Sequence, residues 1–186
     1  LSLWFRLSLW FRPGLKKGMA AYRAGQYERA WRILHPLALS GQAEAQYRLG
    51  AMLHAGLGRA ADPAVALHWF HLAAVQGHAP AQYHLGVSFA LGRAIPRDYA
   101  QALHWFTRAA GQGNVHARYA LGMSHLKGLG TEPDPQEAAR WFTLAAEQGD
   151  AEAQVQLGLM HALGTGMPCD SARAIQLYAL AADQNN

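Results

Sequence analysis

Apolar, small and polar positions recur along this chain with a period of 36 residues, bringing 43–78, 79–114, 115–150 and 151–186 into register without a gap. The third position of each segment is Ala45, Ala81, Ala117 or Ala153, and the seventh and eighth are Leu49-Gly50, Leu85-Gly86, Leu121-Gly122 and Leu157-Gly158. This three-to-four spacing marks one face of a helix, here helix A, whose small residues admit a close neighbour. Glycine at position 14 (Gly56, Gly92, Gly128, Gly164) is placed to end it as a left-handed C-terminal residue. Aspartate at position 20 (Asp62, Asp98, Asp134, Asp170) is an N-cap for a second helix B, followed by Pro63 or Pro135 at the first helical position. Helix B carries Trp69-Phe70, Trp105-Phe106, Trp141-Phe142 and Leu177-Tyr178, then an Ala-Ala pair and Gln at position 34. The large rings are expected to form the packing layer between neighbouring repeats.

Helix pairs that cannot bury their own faces stack, so the expected fold is all-α, a right-handed α-solenoid of helix-turn-helix repeats. The run Ala-x-Ala-Gln-Tyr-x-Leu-Gly, then Gly-x-Gly, Asp, Ala-x-x-Trp-Phe and Ala-Ala-x-Gln-Gly resembles the Sel1-like repeat, a relative of the tetratricopeptide repeat. Departures are Ala94 for the second loop glycine, Val155 for the tyrosine and Asn185 for the terminal glycine. Residues 13–42 fit the template less closely and are expected to be a tetratricopeptide-like capping pair, with Gly25 making a tight turn. Residues 1–12 duplicate Leu-Ser-Leu-Trp-Phe-Arg and form an amphipathic arm whose pattern suits a strand or a helix. The last helix B, with no helix A after it, is expected to expose Leu177, Leu180 and Ala181 and to favour self-association.

Composition narrows the function. The chain is 51% apolar and 15% charged over 186 residues, which excludes a disordered or fibrous protein. A single cysteine, Cys169, excludes an internal disulfide and a multi-thiolate metal site. Cysteine-rich Sel1-like proteins were linked to penicillin-binding or hydrolytic activity, and this chain lacks their cysteines. No run of about 18 apolar residues marks a membrane span. Residues 1–42 hold seven Lys and Arg against Glu28 alone, whereas the remainder holds nine against eleven acids. The net charge of +4 therefore belongs to the N-terminal segment.

Candidate chemistry is sparse. The Gly-x-Gly loops follow helix C-termini, whereas phosphates sit at N-termini. His68, His71, His104, His125 and His161 recur at positions that bring two imidazoles together at best, short of the three or four ligands a metal needs. Ser40, Ser88, Ser124 and Ser171 do not sit in a strained elbow and Cys169 has no histidine at a repeated position beside it, so no residue is assigned to catalysis, a cofactor or a metal, and an enzyme is not expected. Nucleic-acid binding is not expected either, because helix A lacks repeated basic and stacking groups. Helix A varies most at positions 2, 6, 9 and 13, a stripe unsuited to be the packed face, with tyrosine beside it at position 5.

The reading is a non-enzymatic scaffold that takes a protein or peptide segment in a concave groove formed by Tyr47, Arg48, Tyr83, His84, Val87, His116, Tyr119, Met123 and Lys127. The resemblance implies adaptor roles and, in bacteria, an alternative as an envelope or polysaccharide-export component whose basic arm touches membrane or anionic polymer. The packing-layer reading has a direct check. Trp105→Ala should cost about 3–5 kcal/mol by opening a cavity, and an unchanged urea midpoint would show that Trp105 is not a packing residue.

Overall fold

A computed structural model describes residues 12–184, which hold ten α-helices and no strand. They are α1 (Arg12–Arg23), α2 (Tyr27–Leu39), α3 (Ala43–Ala55), α4 (Pro63–Val75), α5 (Ala79–Leu91), α6 (Tyr99–Gly111), α7 (Val115–Lys127), α8 (Pro135–Ala146), α9 (Ala151–Leu163) and α10 (Ser171–Asp183). Residues 1–11 of the arm at 1–12 lie outside the described residues, as do Asn185 and Asn186. The chain divides into two compact units, the first running to Leu85 with Arg93–Ile95, the second comprising Gly86–Gly92 and the residues from Pro96 onward. In the first, α1 packs on α2, α2 on α3 and α3 on α4. In the second, α7 packs on α8, α8 on α9 and α9 on α10.

The expected helix ends are present. Asp62, Asp98, Asp134 and Asp170 accept from the backbone N–H of Val65, Gln101, Glu137 and Arg173 at 2.9–3.0 Å. Gly56, Gly128 and Gly164 close their helices in the left-handed region. Helix A is capped as well, by residues at position 36 of the preceding segment. Asn114 and Asp150 accept from Ala117 and Ala153 at 2.9 and 2.8 Å, and His78 accepts through Nδ1 from Ala81 at 3.3 Å.

The aromatic pair of helix B divides its work. The second ring lies on the position 8 glycine of its own pair: a methyl added to Gly122 would stand 2.5 Å from the Phe142 ring, and one on Gly50 2.8 Å from Phe70. The first ring faces the preceding helix B, as Trp69 does with its ring centroid 6.3 Å from that of His35. The tryptophan therefore joins neighbouring pairs as expected, and the phenylalanine closes its own pair and, at Phe70, also stacks on His84 of the next pair with ring centroids 4.9 Å apart. Trp69, Trp105, Phe70, Phe106 and Phe142 are all buried.

A second link between pairs is polar. Gln46, Gln82 and Gln154, all buried, donate Nε2–H to the carbonyls of Ala38, Ala74 and Ala146 at 3.1, 3.0 and 3.3 Å. Each of these carbonyls, at the end of the preceding helix B, also accepts the backbone N–H of Gly41, Gly77 or Gly149, so the glutamine amide takes the oxygen's second lone pair. Gln76 and Gln184 donate in turn to Gln46 and Gln154 at 2.7 and 2.9 Å. Arg118 stands at the equivalent place and reaches both ways, from Nε to Ala110 O at 3.4 Å and from Nη1 to Leu144 O at 3.3 Å.

The last helix corrects one expectation. Leu177 and Ala181 are 2% and 3% exposed, whereas Leu180 is 50% and Ile175 68% exposed. The face of helix B that carries Leu177 turns toward its own helix A and the preceding pair, where it joins Phe142, Leu157 and Met160 in one core. Leu177 needs no later repeat to cover it.

The loop departure is also informative. Gly58, Gly130 and Gly166 hold φ of +71°, +79° and +69°, and a methyl on Gly58 would lie 2.7 Å from Tyr27 Cβ. Ala94 takes the same conformation, φ +60°, with its methyl in place. Left-handed backbone costs a non-glycine residue about 1–2 kcal/mol, partly offset in a glycine variant by unfolded-chain entropy. Ala94→Gly is expected to stabilise the protein by about 0.5–1 kcal/mol in urea unfolding, and a destabilised variant would contradict the loop geometry.

Candidate partner-binding face

In the first unit the helix A positions converge on α3 and the start of α5. Glu44, one turn before Arg48, accepts from Arg48 Nε at Oε1, 2.7 Å, and contacts His78 Nε2 at Oε2, 3.0 Å. Because His78 Nδ1 accepts from the Ala81 N–H, Nε2 carries the hydrogen that points at Glu44. The Arg48 guanidinium lies 5.4 Å from the Tyr22 ring centroid and 5.1 Å from that of Tyr47, within cation–π range. The Tyr47 ring stands 4.7 Å from His78, 5.7 Å from His84 and 5.9 Å from Phe70, and His84 stacks on Phe70 at 4.9 Å with 9° between planes. His54 completes the group, 6.3 Å from His84. Tyr47, Arg48 and His84 are thus half-buried members of one cross-braced cluster, and Tyr83 adjoins His84. Burial raises the Tyr47 hydroxyl above its usual range.

In the second unit Tyr119 repeats part of this arrangement. Its ring lies 5.7 Å from Phe142, and its pKa is raised by burial, then by Glu152 and Asp150. His116 Nδ1 is 3.8 Å from Asp150 Oδ2. Met123 is half buried and packs against the core around Phe142, so part of its apolar surface already has an intramolecular partner. Val87 is half buried, and Lys127 is exposed at the end of α7. The most open large apolar residues of the stripe are instead Leu163, Leu91 and Leu159, at 69%, 48% and 43% exposure.

His78, Tyr22 and His54 were not among the residues expected from sequence, and Glu44 was expected only as position 2 of the variable stripe, not as a contact residue. Position 36 carries the legible signal: His78, Asn114 and Asp150 are all acceptors placed just before a helix, and the histidine alone has a second ring nitrogen to offer. Tyr22 had no such signal, since the helix carrying it lies outside the exact repeats. Among the described residues no three His, Cys, Asp or Glu side chains converge to hold a metal ion, and no helix is long and apolar enough to cross a membrane.

The Sel1 repeat family matches residues 43–78, 79–114, 115–150 and 151–186. The chain belongs to the Sel1 repeat family. No curated protein matches it. Among solved structures it is similar to a protective antigen present in uropathogenic Escherichia coli strains, at 33% identity and a TM-score of 0.88, over 98% of this chain and 41% of that one. It is similar also to a Sel1 repeat protein from Oxalobacter formigenes, at 32% identity and a TM-score of 0.86, over 92% of this chain and 70% of that one. The chain thus spans about two fifths of the first relative's length. An immunity protein from Pseudomonas aeruginosa, at 21% identity and a TM-score of 0.59 over 90% of this chain and 66% of that one, shares the fold. This Sel1 chain is therefore an all-α repeat protein, and Sel1 repeat proteins are generally non-enzymatic scaffolds for protein interactions.

The ionised Glu44 gives its unit a pH dependence. The His78 hydrogen bond, helped by Arg48 and opposed by burial, lowers its pKa from 4.5 to about 2. The folded pKa lies below the unfolded one, so this stabilisation is complete above pH 4.5 and is lost as pH falls through about 2. In acid titrations followed by circular dichroism, Glu44→Gln should remove that part of the acid sensitivity, and identical acid transitions for the two proteins would contradict the cluster.

Proposed function

We propose that this Sel1 chain is a non-enzymatic scaffold that binds a protein or peptide segment on its helix A face. The contacts come from Tyr47, Arg48, Tyr83 and His84 in the first unit and from Val87, His116, Tyr119, Met123 and Lys127 in the second. Residues 13–42 serve as the capping pair before the four repeats. The observation that carries the reading is the recurrence of one half-buried Tyr–Phe pair in both units, Tyr47 on Phe70 and Tyr119 on Phe142. A ring held from behind loses little conformational freedom on binding, and such anchored aromatics surrounded by Arg and His are what interface hot spots are made of.

The test is a quantitative comparison of proteins captured from source cells by wild type and by a Tyr47→Ala, Tyr119→Ala variant whose fold is checked by circular dichroism. A specific partner is expected to lose about 2 kcal/mol or more of binding energy per hot-spot ring, and unaltered capture would remove the helix A face from consideration. Met123→Glu is unsuited to this purpose, because Met123 also packs on the Phe142 core. Self-association through the last repeat, if it occurs, falls on the exposed Ile175 and Leu180.

An envelope role is the second reading, favoured by exposed Lys16 and Lys17 on α1 next to the basic arm. Flotation with anionic liposomes should then depend on residues 1–18, which include both lysines, and equal flotation of the shortened chain would discard it.

A further inference from the structure

Position 27 of the repeat holds Trp69, Trp105 and Trp141, but Leu177 in the last segment. Trp69 is buried with the His35 ring 6.3 Å away, in a repeat where Ala38 and Leu49 are also buried and Gln46 bonds to Ala38 O. Shifted by three repeats, the same framework stands around Leu177. Ala146 and Leu157 are buried in the places of Ala38 and Leu49, and Gln154 makes the same bond, to Ala146 O. Four of the lining positions differ: two inner side chains shrink, while at the rim Leu39 becomes Glu147 and Val65 becomes the longer Arg173. At the inner two, Trp69 becomes Leu177 and His35 becomes Thr143.

A cavity of about 330 Å³ opens at this place, with Ala146, Leu157 and Leu177 as its floor and Thr143 on its wall. A buried apolar void of about 150 Å³ already takes up benzene, so this one has room for a fused ring. Its mouth is polar: Glu147 and Arg173, both exposed, line the opening. A guanidinium over an inserted ring adds cation–π attraction, and a carboxylate is an acceptor for a ring N–H.

We propose that the cleft between α8, α9 and α10 is a binding site for an aromatic side chain of a partner protein, a tryptophan by preference, whose indole takes the place that the chain's own Trp69 fills in the first repeat. The proposal rests on the scaffold reading and adds to it a second contact point, on the helix B side, with a stated chemistry. Leu177 is the specificity-determining residue, since its short side chain leaves the space open.

The probe is N-acetyltryptophanamide, titrated into the ¹⁵N-labelled chain. Saturable amide shifts are expected at Thr143, Ala146 and Leu177, absent with N-acetylalaninamide. Leu177→Trp fills the cleft with the residue that the other repeats use, and should keep or raise the melting temperature while weakening the probe at least about tenfold. Thr143→Leu narrows the cavity from α8 without touching Leu177, and should weaken the probe as well, which keeps the test decisive if the tryptophan variant folds poorly. Absence of saturable shifts, or undiminished binding in a folded variant, overturns the proposal. A captured partner that is lost with Tyr47→Ala, Tyr119→Ala yet retained by Leu177→Trp overturns this site and leaves the scaffold reading standing. A partner indifferent to the tyrosine changes but lost with Leu177→Trp supports the cleft and removes the helix A face.

Discussion

Everything in this chain depends on how closely helix B approaches helix A within one pair. At position 8 no methyl fits: added to Gly50, Gly86, Gly122 or Gly158 it would meet the ring of Phe70, Phe106, Phe142 or Tyr178 at 2.5–2.9 Å. A glycine inside a helix costs about 1 kcal/mol relative to alanine. The aromatic ring it admits buries on the order of 150–250 Å², worth several kcal/mol at about 25 cal/mol per Å². The contact wins by a margin that explains why the glycine is tolerated in the middle of a helix four times over. It also fixes the distance between the helices, and so the positions of all side chains that ride on them.

Once each pair is closed, its neighbours are held by two kinds of bond with different demands. Tryptophan packing is tolerant, since any apolar surface of suitable shape lowers the energy. The glutamine bonds are not, because an amide buried without its partner costs about 1–3 kcal/mol. Gln46, Gln82 and Gln154 each donate to the carbonyl of one alanine at one helix end, and a pair displaced by a single residue would leave the buried amide without that bond. Packing supplies affinity between repeats, and the amides supply register. Arg118 shows how strict that demand is. Its longer side chain replaces the glutamine, and its two nitrogen donors still end on helix-terminal carbonyls, Ala110 O and Leu144 O.

The fold was legible because the information that sets it is repeated four times, and the caps, the glycine turns and the helix pairing all follow from local chemistry at fixed positions. The buried glutamines were visible as letters and not as bonds, since their partners are backbone carbonyls eight residues back, to which a side-chain pattern gives no clue. The exposure of the last helix was misjudged at Leu177 for a related reason: periodicity shows which residues share a face, while the partner that covers the face is set by how the pairs lie on one another. The candidate face was legible at Tyr47, Arg48 and His84, which recur or vary at helix A positions. It was not legible at Tyr22, which belongs to the divergent first pair, nor at Glu44, whose ionisation depends on a histidine 34 residues away.

A repeat protein carries its own comparison within one chain, and this changes where function is to be sought. Residues that recur at every equivalent position, the glycine under the ring, the capping aspartate, the alanines of helix B, are accounted for by the stack itself and need no further purpose. Departures are another matter, because the stack shows that the common residue was available and worked. His78 replaces an ordinary capping side chain and gains a second bond, to Glu44. Arg118 replaces a glutamine and reaches a second helix end. Ala94 replaces a glycine and gains nothing that the structure explains. Leu177 replaces a tryptophan and gives up the burial of a large ring, a loss that the chain avoids in the three other repeats. A substitution that forfeits packing over an unchanged Ala146, Gln154 and Leu157 leaves a shaped void, and a shaped void bordered by Glu147 and Arg173 differs from a packing fault in being open to whatever ring the solvent or a partner presents.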